Sequence, residues 1–114
     1  MTIFVYGSLK RGQSRSAVLA QQRFLGHVVT RPKYRMYDLG AYPGLVPHDH
    51  GRSIEGELWG VDEGCLAELD QIEGVPTLYR RAQVELEQCQ HDDVQTYFYQ
   101  GPLEGRPDCG RRWP

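Results

Sequence analysis

The stretch Ile3 to Gly12, IFVYGSLKRG, decides the fold of this chain. Its first four residues, Ile3 to Tyr6, are β-branched or aromatic, and they predict a short buried strand. Gly7 then breaks the strand, and Gly7 and Gly12 bracket a polar turn. Because a turn directly after a strand leaves backbone N–H groups without ladder partners, these groups can converge on an anion. They can equally converge on a carbonyl oxygen that becomes negative during a reaction.

The motif alone leaves three interpretations of this turn open. Gly7, Gly12 and Ser14 have the spacing of a phosphate-binding P-loop, but Gln13 replaces the lysine that reaches the phosphates. Ser8 as a nucleophile needs an activating base and, in the elbow type, the pattern G-x-S-x-G, which does not surround it. The third interpretation is an ordinary turn between a strand and a helix.

The composition predicts one globular domain, residues 1–114, that binds a small ligand. Hydrophobic residues make up 39% of the 114 residues and charged residues 25%, which is typical of a globular protein. The net charge is 13 − 15 = −2, and this argues against a nucleic-acid binder, whose domain is normally basic. The amino-terminal turn is nevertheless locally basic, through Lys10, Arg11 and Arg15, while acids concentrate between Asp62 and Glu73. This asymmetry favours a small anionic ligand.

The sequence also predicts a cytoplasmic protein that does not span a membrane. No apolar run approaches the ~20 residues that a membrane span requires, and the amino terminus has no secretory signal pattern. Cys65, Cys89 and Cys109 are odd in number, widely spaced and form no C-x-x-C motif. They are therefore interpreted as reduced thiols rather than as disulfides or zinc ligands.

The hydrophobic periodicity predicts six strands and two short helices without β-α-β alternation, which is typical of an α+β fold. Asp62 is the expected cap of the stronger helix, and Gly74 its expected stop. Gly40 to Gly51 is rich in glycine and proline, and it is predicted to be a loop that forms a wall of a site. The predicted strands are Ile3–Tyr6, Phe24–Thr30, Tyr34–Leu39, Ser53–Val61, Tyr79–Glu87 and Val94–Tyr99, the predicted helices are Ser14–Gln21 and Asp62–Glu73, and Gln90–Asp93 is a predicted turn.

Five blocks of sequence, in order along nearly the whole chain, carry a family resemblance. They are FVYGSLKRG (Phe4 to Gly12), LGAYPGLVP (Leu39 to Pro47), IEGELWGVD (Ile54 to Asp62), LAELDQIEGVPTLYRR (Leu66 to Arg81) and YFYQGP (Tyr97 to Pro102). Together they resemble the γ-glutamylcyclotransferase-like family, including the γ-glutamylamine cyclotransferases and small bacterial members. The resemblance implies a small, partly closed mixed β-barrel with helices packed outside and the site at one end.

The resemblance also implies an enzyme that cyclises the γ-glutamyl group of a γ-glutamyl amide to 5-oxoproline and releases an amine or amino acid. Glu73 matches the family's general acid/base glutamate, which precedes a tyrosine and arginine block. Tyr42 and Tyr79 are weaker candidates for substrate contacts. No metal or organic cofactor is implied. The substrate's glutamyl moiety and its oxyanion are implied to lie on the backbone of Tyr6, Gly7, Ser8 and Leu9.

Electrostatics gives Glu73 weaker but independent support. A carboxylate with an ordinary pKa of about 4.3 is a poor base near neutrality unless its environment raises that pKa. Glu73 is expected at the carboxyl end of a helix, where the partial negative charge opposes ionisation, and burial against tyrosines would add to this effect. Without the resemblance, a glutamate at a helix end is ordinarily a surface residue.

Several alternatives remain beside this interpretation. His48-Asp49-His50 resembles part of a metal site, but it lacks a second group of ligands and is interpreted, like His27 and His91, as solvated. Glu55 and Glu57 could pair with Glu73 for glycoside hydrolysis, but alternating acids on a half-exposed strand are commoner. The functional alternatives are a non-catalytic module that binds γ-glutamyl groups or other anions on the same fold, and a phosphate-binding protein.

Overall fold

The computed structural model describes residues 1–88, 90–91 and 93–114. Its elements confirm an α+β fold, but seven strands are present where six were predicted, and one of the two predicted helices is only a short 3-10 helix. The elements are β1 (Thr2–Val5), the 3-10 helix (Ser16–Leu19), β2 (Arg23–Val29), β3 (Tyr34–Asp38), β4 (Pro43–Pro47), β5 (Glu55–Gly60), α1 (Glu63–Ile72), β6 (Tyr79–Gln83) and β7 (Val94–Tyr99).

Strand β7 is the branch point of the sheet. The strands follow the order β2-β5-β1-β7-β4-β3, and β6 pairs separately with β7. β1 and β4 both run parallel to β7, at different points along it: Ile3 of β1 lies opposite Gln95, and Leu45 of β4 lies opposite Phe98. The chain of β1 therefore leaves β7 where β4 joins it, and this separation opens a gap in the sheet just after Val5.

The expected barrel is matched in its α+β elements, but the sheet is not closed, because its end strands β2 and β3 do not pair with each other in the described part of the chain. An isolated bridge between Thr30 and Leu86 links the end of β2 to the segment that follows β6. Irregular carboxyl-terminal residues cover the edge of β3, where Pro107 accepts from the Asp38 N–H at 2.8 Å and Cys109 donates to the Met36 carbonyl at 2.9 Å. Such a cover protects an unpaired strand edge.

Both faces of β1 are buried, which explains its unbroken apolar sequence. Ile3 and Val5 pack on one face with α1 and the 3-10 helix. Phe4 and Tyr6 pack on the opposite face, against β3, β4 and β7. The first strand thus joins two apolar cores, and the turn that follows it is held between them.

Three local predictions are corrected by the structure. The loop predicted over Gly40–Gly51 contains β4, which pairs along its length with β3; its prolines stand at the two ends of the strand, where a missing N–H is tolerated. The helix predicted over Ser14–Gln21 is reduced to the 3-10 helix, for which Ser14 is not the cap. The strand predicted over Tyr79–Glu87 ends at Gln83.

Other expectations concern thiols and membranes. Cys65 is buried and Cys109 half-buried, and both are unbonded thiols; Cys89, and Asp92 in the predicted turn Gln90–Asp93, lie outside the described residues. Among the helices that the structure describes, none has the length and apolar character needed to cross a membrane.

Candidate active site

A pocket lies in the gap where β1 and β4 separate along β7. Its space, counted together with the part that is open to solvent, is about 330 Å³. The seven residues predicted as site residues all line it, although they come from four separate parts of the chain. Their grouping is a structural observation, whereas their roles remain predictions. The lining residues are Phe4, Val5, Tyr6, Gly7, Ser8, Leu9, Arg15, Tyr42, Pro43, Glu73, Tyr79 and Tyr97.

Helix α1 delivers Glu73 to this pocket. The Asp62 side chain caps the helix by accepting from the Cys65 N–H at 2.7 Å, as the sequence predicts. Glu73 is the last residue with helical geometry, and Gly74 follows with φ +66°, a conformation that glycine adopts without steric strain. The helix therefore ends at the pocket, with Glu73 pinned by its own N–H to the Leu69 carbonyl at 2.9 Å.

The Glu73 carboxyl group is buried and has no hydrogen-bond partner among the described residues. Its residue is 9% exposed, and burial raises the pKa of the carboxyl group from an ordinary 4.5 to about 7, while the Arg15 guanidinium acts in the opposite direction. Burial therefore outweighs the nearby positive charge. A carboxyl group with this pKa exchanges a proton readily near neutral pH.

The turn after β1 forms the closed end of the pocket. Among the described residues, the N–H groups of Gly7, Ser8 and Leu9 donate none of the turn's backbone hydrogen bonds, which are donated instead by Lys10, Gln13 and Arg15. Gly7 is required here by space, since a Cβ atom at this position would lie 2.6 Å from the Pro43 side chain. The close approach of β4 thus fixes the position of a turn whose residues line the cavity.

The tyrosine side chains build the walls. The Tyr6 hydroxyl donates to the Tyr97 carbonyl at 2.6 Å and accepts from the Leu45 N–H at 3.3 Å, so it bonds to both β7 and β4 where these strands pair. The Tyr79 hydroxyl donates to the Pro43 carbonyl at 2.9 Å. Burial raises the pKa of both phenols. Both hydroxyl groups are thus used by backbone, whereas the Tyr42 ring lies half-buried at the rim.

Five lining residues were not among the predicted site residues, and two of them, Tyr97 and Arg15, carry polar side-chain groups. Tyr97 lies on β7, and its hydroxyl donates to the Asp70 carboxylate at 2.7 Å; in the sequence it belonged to a resemblance block and to a predicted strand. Arg15 was noted only as part of a basic turn. Lys10 and Arg11 of that turn lead away from the pocket, because Lys10 donates to the Trp113 carbonyl and Arg11 contacts Glu57. The sequence alone does not show that Arg15, and neither Lys10 nor Arg11, lines this pocket.

The alternative interpretations of the turn gain no support. Gln13, at the P-loop lysine position, directs its amide to the Pro114 carbonyl at 3.0 Å and away from the pocket. The described lining contains no histidine or cysteine beside Ser8. His48 and His50 are exposed. No group of three metal-ligating side chains occurs among the described residues.

The expectation that Glu57 lies on a half-exposed strand is wrong, because it is 5% exposed. Its carboxylate accepts from the Arg11 N–H at 3.0 Å and from the Trp59 indole at 3.1 Å. Glu57 therefore anchors the far end of the turn and is not paired with Glu73. His27, predicted to be solvated in a loop, is exposed but lies on β2, with its ring nitrogen 3.2 Å from the Arg11 guanidinium.

Comparison with known proteins identifies one family along nearly the whole chain. The family described as "Gamma-glutamyl cyclotransferase, AIG2-like" matches residues 3–113. A Vibrio cholerae protein that is provisionally named a γ-glutamylcyclotransferase is 48% identical over 83 residues, which are 73% of this chain and 70% of the relative. The γ-glutamylcyclotransferase family protein YtfP of Escherichia coli K12 is 36% identical over 105 residues, covering 92% and 88%. The crystal structure of an AIG2-like protein from Mus musculus superposes with a TM-score of 0.71 at 32% identity, covering 85% and 75%.

Proposed function

Because the chain belongs to the γ-glutamyl cyclotransferase, AIG2-like family, we propose that it cyclises the γ-glutamyl group of a γ-glutamyl amide to 5-oxoproline, with Glu73 as general acid and base. The resemblance found in the sequence is confirmed at the level of the family. The observation that carries the residue assignment is the Glu73 carboxyl group, which is buried without a hydrogen-bond partner among the described residues and lines the same pocket as Gly7, Ser8 and Leu9 of the turn.

The proposed reaction begins with proton transfer to Glu73. The ionised carboxylate takes one proton from the substrate's α-ammonium group, and the resulting amine attacks the γ-carbonyl carbon. A C–N bond forms, closing a five-membered ring, and the carbonyl oxygen becomes an oxyanion. Nucleophile and electrophile belong to one molecule, so a pocket that holds the glutamyl chain in a folded conformation supplies much of the rate enhancement.

Collapse of the oxyanion breaks the bond to the departing nitrogen. Glu73 returns its proton to that nitrogen, and the ring nitrogen loses its second proton to the departing amine, which leaves as an ammonium ion. Atoms and charge balance without an added oxidant, reductant or cofactor. A carboxyl group with a pKa of about 7 suits both proton transfers, because it is neither a weak base nor a weak acid near neutrality.

The oxyanion needs hydrogen-bond donors that are in place before the reaction. The N–H groups of Gly7, Ser8 and Leu9 meet this requirement, since no described backbone group accepts from them within the turn. Ser8 and Leu9 are both nearly inaccessible to solvent, with exposures of 6% and 5%. In a dry site, such donors stabilise charge more strongly than they would in water.

The test is the release of 5-oxoproline by the purified protein from γ-glutamyl amino acids, γ-glutamyl-ε-lysine, glutathione and γ-glutamyl amines. Wild-type protein is expected to release it from at least one donor. Glu73→Gln is expected to lower the rate by about a hundredfold or more, while its thermal unfolding shows a folded protein. Glu68→Gln is the matched control, because Glu68 lies on the same helix but is exposed.

Two outcomes contradict the proposal. Release that survives in folded Glu73→Gln removes Glu73 from the mechanism. If no donor is turned over but γ-glutamyl compounds raise the melting temperature, the chain is a binding module.

We also propose a cytoplasmic location, which the unbonded thiols of Cys65 and Cys109 support because such thiols persist in reducing compartments.

A further inference from the structure

Arg15 places a positive charge at the mouth of the pocket. Apart from Glu73, it is the one charged side chain in the described lining. Its guanidinium carbon lies 5.0 Å from the centre of the Tyr42 ring, and its backbone N–H donates to the Ser8 carbonyl at 2.8 Å. The turn that forms the closed end of the pocket therefore also fixes the base of Arg15, and the Tyr42 ring supports its side chain.

The guanidinium group forms no direct ion pair among the described residues, although its charge lowers the pKa of the Glu73 carboxyl group that lines the same pocket. The ion pairs found among the described residues are Arg11 with Glu57, Lys33 with Glu85, Arg35 with Asp108 and Arg81 with Asp70. Arg15 takes part in none of them, although it is half-buried beside an acidic residue. A planar guanidinium group held in this way is suited to bind a carboxylate with two parallel hydrogen bonds.

The shape of the pocket indicates which carboxylate this is. A cyclising substrate must place its α-nitrogen and its γ-carbonyl group next to Glu73, which is 9% exposed, and next to the buried backbone of Ser8 and Leu9. The glutamyl part therefore fills the closed end, and the departing part extends toward solvent. The half-buried Arg15 and Tyr42 flank that exit.

We propose that Arg15 binds a carboxylate on the departing part of the substrate, and that the preferred donors are therefore γ-glutamyl amino acids rather than γ-glutamyl amines without a carboxylate. This inference rests on the proposed function and adds the substrate class to it. In this arrangement Arg15 is a specificity-determining residue: it contacts the substrate but takes no part in proton transfer.

The test compares two ligands that differ only in the departing carboxylate, γ-glutamyl-alanine and γ-glutamyl-alaninamide. Calorimetry measures their dissociation constants for Glu73→Gln, in which binding is observed without turnover, and for the same protein with Arg15→Gln added. Glu73→Gln alone is expected to bind γ-glutamyl-alanine at least about tenfold more tightly than γ-glutamyl-alaninamide. Arg15→Gln is expected to bring this ratio close to one, by weakening the binding of γ-glutamyl-alanine only.

Arg31→Gln, added to the same background, is the matched control, because Arg31 is exposed and outside the pocket; it is expected to keep the ratio measured for Glu73→Gln alone. The proposal is overturned by a ratio near one before Arg15 is changed, by equal weakening of both ligands in Arg15→Gln, or by binding of neither ligand. Measurements of 5-oxoproline release by wild-type protein test the proposed function separately, since the binding ratio does not depend on catalysis.

Discussion

At the scale of single residues, Asp70 and Glu73 show how the environment separates two acids of one helix. Asp70 is half-buried and fully engaged: it accepts from the Tyr97 hydroxyl at 2.7 Å and pairs with Arg81 at 3.1 Å. Glu73, less than one turn later, is more deeply buried and has no such partner among the described residues. Unequal environments of this kind divide structural from chemically active carboxyl groups.

Burial of Glu73 should appear in the pH dependence of stability. The folded-state pKa of about 7 exceeds the ordinary value of 4.5, so the folded protein holds the proton more tightly than the unfolded chain. Stability is therefore expected to fall as the pH rises from about 4.5 to about 7, by up to about 3 kcal/mol.

The measurement is thermal unfolding of wild type and Glu73→Gln at pH 5 and pH 8. The variant is expected to gain melting temperature relative to wild type at the higher pH, by up to about 10 °C. Glu68→Gln, which removes an exposed carboxylate from the same helix, serves as the control. An equal difference between wild type and Glu73→Gln at both pH values would show that burial of Glu73 does not disfavour its ionisation.

Arg15 should tune Glu73 from across the pocket. The guanidinium group lowers the pKa of the Glu73 carboxyl group, so Arg15→Gln is expected to move the acid limb of kcat/KM for 5-oxoproline release to higher pH. The assay uses a γ-glutamyl amine, because its departing part carries no carboxylate for Arg15 to bind, and a shift of the limb then reports on Glu73 alone. Arg31→Gln should leave the limb in place; an unmoved limb in Arg15→Gln would argue that the two groups do not interact.

At the scale of elements, the site depends on the turn after β1 and on β4. The sequence predicts the first strand, the turn, α1 with its Asp62 cap and its stop at Gly74, because these features follow from local periodicity and glycine placement. It does not predict β4, because two prolines and a glycine within Pro43–Pro47 indicate a loop. Only pairing with β3 and β7, which periodicity cannot reveal, makes that segment a strand.

The contact between Gly7 and β4 gives a test at this scale. In Gly7→Ala the added Cβ atom would meet the Pro43 side chain at 2.6 Å, so the turn and β4 must move apart. We expect 5-oxoproline release to fall by about tenfold or more, together with a loss of stability of about 1–3 kcal/mol.

Gly64→Ala is the matched control for this change. Gly64 lies in the first turn of α1, and its nearest contact for an added Cβ atom is a side-chain oxygen of Asp62 at 3.6 Å. Because alanine favours a helix more than glycine does, this variant is expected to gain up to about 1 kcal/mol and to keep full activity. Comparable losses in both variants would contradict the importance of the contact between Gly7 and Pro43.

The Tyr6 hydroxyl provides a second test, because it bonds to both β7 and β4 beside the point where Leu45 lies opposite Phe98. Tyr6→Phe would leave the Leu45 N–H and the Tyr97 carbonyl without this partner, and we expect a loss of about 1–3 kcal/mol in denaturant unfolding. The control is Tyr37→Phe, because the Tyr37 hydroxyl makes no hydrogen bond to a described residue. A Tyr6→Phe protein as stable as wild type would show that the bridge contributes nothing.

At the scale of the whole molecule, the pocket is a consequence of how the sheet branches at β7. Two parallel strands share one side of β7, and the space between them is filled by a turn, two tyrosines and a helix end. Seven residues around this space were identified through the family resemblance, but the sequence predicted neither the branching of the sheet at β7 nor the burial of Glu57. Both depend on long-range contacts, which short sequence patterns do not encode.

The central claim is that one buried carboxyl group moves the protons of the cyclisation. The most direct measurement is the pH dependence of kcat/KM for 5-oxoproline release by wild type and by folded Glu73→Gln. The rate of wild type is expected to fall tenfold for each pH unit below an apparent pKa of about 7, and this limb should vanish in the variant together with at least about a hundredfold loss of rate. A Glu73→Gln protein that keeps both the rate and the acid limb would contradict the claim.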